Sequence, residues 1–126
     1  MYKVEIFNNG DYSFKVKSKD YEFLVDIKDK GISPPDTLLA GLGSCIGVYI
    51  RKYIEGAKLE LNKFSVQVQA EFSKIPPISF RQINVAIDLG VNKLDEHRRE
   101  ALLRFIKNCP VHNTLKNNPD INVKII

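Results

Sequence analysis

Residues 31–53, GISPPDTLLAGLGSCIGVYIRKY, constrain this fold more than any other stretch. Leu38, Leu42, Cys45 and Tyr49, together with Leu39, Ile46, Ile50 and Tyr53, recur at helical spacing and cover well over one face. Ser33 is placed to cap the helix, Pro34 suits its first position, and Asp36 stands where a capping box wants an acid. Gly56 marks the expected C-terminal end. Inside the helix, Gly41, Gly43 and Gly47 each cost roughly 1 kcal/mol against Ala. With Ala40 and Ser44 they form a strip almost without side chains, which predicts a second helix or a second subunit packed close against it. The unbroken apolar run is too short to span a membrane.

The flanking segments alternate instead. Tyr2, Val4 and Ile6 share one face of a first strand, Asn8-Asn9-Gly10-Asp11 is a turn, and Tyr12, Phe14 and Val16 begin a second strand. Tyr21, Phe23, Val25 and Ile27 form a third, so the N-terminal part reads as a meander. After the helix come Phe64–Phe72 and Phe80–Leu89, separated by Lys74-Ile75-Pro76-Pro77. Asn92 or Asp95 opens a second helix with apolar positions Leu94, Ala101, Leu102, Phe105, Ile106 and Cys109, and Pro110 predicts its end at Cys109. Residues 121–126 read as a last strand. The order β-β-β-α-β-β-α-β makes an α+β fold, expected to be one domain over residues 1–126.

Composition narrows the function. The net charge of +4 is scattered among acids without a like-charge run, so it gives nucleic-acid binding no support. Met1 is followed by the alternating YKVEIF rather than an apolar block, so no export signal is read. Two cysteines in such a chain point to the cytoplasm, where a purely structural disulfide would be unusual. They are then inert core residues, metal ligands or a redox pair. Free cysteine is often just a small core hydrophobe. Neither cysteine belongs to a C-x-x-C motif, and His112 is the only neighbouring imidazole, so neither a metal nor another cofactor is expected.

A redox pair needs a thiolate, and an apolar helix works against one unless positive charge is near. Arg51 lies about 240° around the helix from Cys45, pointing elsewhere, and reads with Lys52 as a solvated last turn. Asp36 is about 180° around and ~13 Å along the helix from Cys45, so it serves a thiol site only through a bridging cation or a partner subunit. His112 reads as a hydrogen-bonded turn residue and His97 as a solvated one. No glycine-rich phosphate loop and no Ser/His/acid arrangement is present.

Two segments carry a resemblance. SPPDTLLAGLGSC resembles the cysteine-bearing helix of the OsmC/Ohr superfamily, the osmotically inducible and organic hydroperoxide resistance proteins. NCPVHNTL is similar to that family's second-cysteine motif, and the order of the intervening elements also matches. The resemblance implies an intertwined homodimer with its central helices packed under antiparallel sheets. It also implies a thiol peroxidase acting on organic hydroperoxides. In that scheme Cys45 attacks the peroxide and becomes a sulfenic acid, Cys109 condenses with it to a disulfide, and a dithiol reductant resets the pair. Asp36 stands where peroxidase branches carry a glutamate that pairs with an N-terminal arginine. This chain has no arginine before Arg51, and Lys15 or Lys17 offers charge without a planar fork. The alternative expectation is a non-peroxidase dimer of the same family that binds a small apolar ligand.

Overall fold

The computed structural model describes residues 1–90 and 94–126, arranged as two compact units, residues 1–40 and 41–126. The first unit holds an antiparallel meander of β1 (Glu5–Asn8), β2 (Ser13–Ser18) and β3 (Tyr21–Asp26). Gly10 turns the first hairpin at φ 109°, and the Asn8 side-chain amide donates to the Asp11 and Ser13 carbonyls. Register places Ile6 opposite Val16 and Val16 opposite Phe23, an apolar row across all three strands. Ile6 and Phe23 nonetheless remain exposed, and only Val25 and Asp26 are buried in this unit. Gly31 lies against β3, and a Cβ there would collide with the Leu24 carbonyl.

The long helix α1 (Pro34–Gly56) begins in the first unit and supplies the core of the second. Ser33 caps its start: the Asp36 amide donates to Ser33 Oγ at 3.2 Å, and that hydroxyl donates to Asp36 Oδ2 at 2.8 Å, in place of the backbone bond of a full capping box. Its end falls at Gly56, as expected, but the cap residue is another one. The left-handed position falls on Lys58, at φ 54°. Leu59 N–H reaches Ile54 O at 3.0 Å and Lys58 N–H reaches Glu55 O at 3.2 Å, the paired bonds of a Schellman stop.

Strands β4 (Ser65–Phe72) and β5 (Phe80–Asp88) pair antiparallel, as their alternation predicts. Phe64, Val66, Val68 and Ala70 are half-buried. Phe72 breaks the alternation: the register shifts between Ala70 and Phe72, and its ring stacks on Phe80 at 4.6 Å, still exposed. A Cβ on Gly43 would come 2.9 Å from Val68 Cγ2, and one on Gly47 would come 3.9 Å from the Phe64 ring. The small-residue strip is therefore split. Its close neighbour on this side is the molecule's own β4 rather than another helix, while Gly41 faces open space.

Helix α2 (Glu96–Phe105) is capped by Asp95, whose carboxylate accepts from the Arg98 amide. Asn92, the other candidate start, lies outside the described residues. The predicted continuation to Cys109 is corrected: α2 stops at Phe105, and a 3-10 turn covers Ile106–Asn108. Cys109 then opens a further helix, α3 (Pro110–Lys116). The predicted last strand is also corrected. Residues 121–126 form no strand and pair with none of the described strands. Ile121, Val123, Ile125 and Ile126 stand exposed. No helix among the described residues is long and apolar enough to cross a membrane.

Candidate functional site

In the second unit, Leu42, Ile46, Ile50 and Ile54 of α1 line one face, and they bury with Leu61, Leu102 and Cys109 into one cluster. Ile50 and Cys109 are 0 % exposed. Cys45 is half-buried and packs against that cluster from the same helix. The fold thus brings the two thiols to one cluster. Both are free thiols.

The Pro110 ring sets the local geometry of Cys109. It favours extended backbone for the residue before it, and Cys109 sits at φ −60°, ψ 119° as the cap of α3. There Cys109 Sγ accepts from the His112 amide at 3.4 Å. Burial pushes the Cys109 thiol above its ordinary range, the hydrogen bond with Cys45 adds to the rise, and the amides of His112 and Val111 oppose it. Cys109 is therefore a neutral thiol at physiological pH.

Asp36 is not part of this cluster. Its carboxylate is engaged with Ser33 at the start of α1, in the first unit. Arg51 corrects the expectation of a solvated turn. Its guanidinium donates to the Leu61 carbonyl at 3.4 Å and to the Asn62 carbonyl, and it lies 5.2 Å from the centre of the Phe64 ring. It holds the connection from α1 to β4 rather than a thiol. His112 occupies the first turn of α3, with Nδ1 3.2 Å from Asn113 Oδ1. His97 is exposed on α2, as expected. Among the described residues, no three His, Cys, Asp or Glu side chains gather as metal ligands would.

Sequence reasoning missed a groove between α1, β5 and the start of α3. It has a volume of about 540 Å³ and is lined by Leu42 and Ile46 of α1, by Ile83 and Ile87 of β5, and by Ile106 and His112. Neither thiol lines it; Leu42 and Ile46 come from the turn of α1 that carries Cys45, and His112 from the turn that Cys109 caps. Arg81, Lys107 and Lys116 also line it. The available signal was the alternation of Ile83, Val85 and Ile87, which demands an apolar partner that α1 covers only in part.

Against known proteins, residues 27–124 match the family described as OsmC-like protein. This chain belongs to that family. It is 24% identical over 131 residues to a hydroperoxide reductase of Mycoplasma genitalium, an alignment covering 98% of this chain and 93% of the relative. The crystal structure of an OsmC-like protein from Mycoplasma pneumoniae superposes with a TM-score of 0.79 at 25% identity, covering 94% of this chain and 89% of that one. An organic hydroperoxide resistance protein from Legionella pneumophila shares the fold, with a TM-score of 0.64 at 21% identity over 94% of this chain and 92% of that one.

Proposed function

We propose that the protein is a cytoplasmic thiol peroxidase that reduces organic hydroperoxides, with Cys45 as the attacking and Cys109 as the resolving cysteine. The observation that carries this reading is the meeting of a half-buried and a fully buried thiol at one apolar cluster. The hydroperoxide reductase name of the Mycoplasma genitalium relative supports the same chemistry. The Cys45 thiolate attacks the terminal peroxide oxygen, the O–O bond breaks, and the alkoxide leaves with a proton as the alcohol. The resulting Cys45 sulfenic acid condenses with the Cys109 thiol, releasing water and forming the disulfide. A dithiol reductant then returns both thiols. The groove receives the organic portion of the substrate, since its aliphatic floor favours carbon over water.

The positive charge a thiolate needs does not come from Arg51, which is bound to loop carbonyls. In this reading a second copy of the chain supplies it, with Asp36 acting through that bridging cation. The active species is accordingly a homodimer. Stopped-flow oxidation with cumene hydroperoxide tests the reading. Cys45→Ser is expected to lose at least about a hundredfold in rate, and a variant that consumes peroxide as fast as the parent sinks it.

The absence of any arginine before Arg51 favours one second reading, a dimer that binds a small apolar ligand without chemistry. Under it, ligand co-purifies with the protein in native mass spectra, and neither cysteine substitution displaces it.

A further inference from the structure

We infer that the reducing thiol attacks Cys45, and that Cys109 is the sulfur that leaves. The inference rests on the peroxidase reading for the origin of the disulfide, but it is argued from the unequal burial of the two sulfurs. Exchange at a disulfide runs in line: the incoming sulfur, the attacked sulfur and the departing sulfur approach a common axis. Attack at Cys109 requires the reductant to stand on the side of Cys109 away from Cys45. That side is closed, because Cys109 is 0 % exposed and belongs to the cluster of Ile46, Ile50 and Leu102. Attack at Cys45 requires room on the opposite side. Cys45 is half-buried, so its sulfur, unlike that of Cys109, keeps an open side.

The leaving position is also prepared. When the inter-cysteine bond breaks, its electron pair goes to Cys109 sulfur, which already accepts from the His112 amide at 3.4 Å. Burial then favours uptake of a proton. The released Cys109 becomes a neutral thiol, which is a poor nucleophile, so the mixed disulfide on Cys45 is not promptly expelled. The full balance is simple. A reductant thiolate forms a sulfur–sulfur bond to Cys45 as the protein disulfide breaks and Cys109 is protonated. The reductant's second thiolate then attacks its own bonded sulfur, leaving as a cyclic disulfide and freeing the Cys45 thiolate. Two electrons pass from the dithiol to the protein.

The test separates this step from the peroxide chemistry. Wild-type protein is oxidised in parallel with cumene hydroperoxide and with diamide, and disulfide formation is read by intact mass. Each sample then receives a brief pulse of 2-mercaptoethanol, is quenched with N-ethylmaleimide, and is mapped by peptide mass spectrometry. The expected result is mercaptoethanol on the Cys45 peptide and maleimide on the Cys109 peptide, in excess over the reverse pattern by at least about tenfold. The reverse pattern, or an even split, overturns the inference. Closure by diamide but not by peroxide sinks the peroxidase reading while leaving the attack site measurable. Failure of both oxidants to close the bond sinks both. As an independent check, the Cys109→Ser protein should react with Ellman's reagent at least about tenfold faster than the Cys45→Ser protein; equal rates overturn the inference.

Discussion

Two side chains give single-residue signatures. Burial raises the Cys109 thiol above its ordinary value of 9.0, so the folded state holds a proton that the unfolded state releases. Its contribution is fully present below the unfolded value and is lost as pH climbs through the folded one. Denaturant melts should therefore show stability falling above about pH 9, with a shallower fall in Cys109→Ala. Lys58 is the second case. It sits at φ 54°, a region costing a side-chain-bearing residue about 1 kcal/mol, in a position glycine fills readily. Lys58→Gly should stabilise the protein by about 0.5–1 kcal/mol in the same melts. The sequence drew the eye to Gly56 instead, since composition marks a helix end only to within a residue or two.

At the scale of elements, α1 and the β4–β5 hairpin were legible because each carries one clean period, and the capping pair Ser33 and Asp36 announced where α1 starts. The pairing of Cys45 with Cys109 was not readable from spacing. It arises where the core face of α1 meets the turn ahead of α3, and only the likeness of the two cysteine motifs to a family suggested it. Helix α3 escaped notice because it is 7 residues long, although a proline in its first position was a usable sign. The role of Arg51 was hidden for another reason: its partners are backbone carbonyls, which leave no mark in a sequence. Arg51→Ala should cost about 1–3 kcal/mol by freeing the Leu61 and Asn62 carbonyls, half-exposed as the side chain is. Arg51→Lys should restore less than half of that, because an ammonium cannot hold two carbonyls and a ring together. Thermal denaturation of both variants checks the pair.

On the scale of the whole molecule, the apolar surface is unevenly covered. Ile6 and Phe23 of the meander are exposed, as are Val48 on α1 and alternate residues of the C-terminal segment. In the homodimer proposed above, the C-terminal strand pattern pairs with the sheet edge of the second copy. Sedimentation should accordingly give twice the chain mass of 14.4 kDa, and removing residues 121–126 should shift the distribution towards single chains. The bare tail from Ile121 to Ile126 then has a thermodynamic reach beyond assembly. If its shelter is a bimolecular event, heat resistance ceases to be a property of the polypeptide alone. Tm should climb with protein concentration and sink on dilution, so that the amount of this protein present sets how well each copy endures.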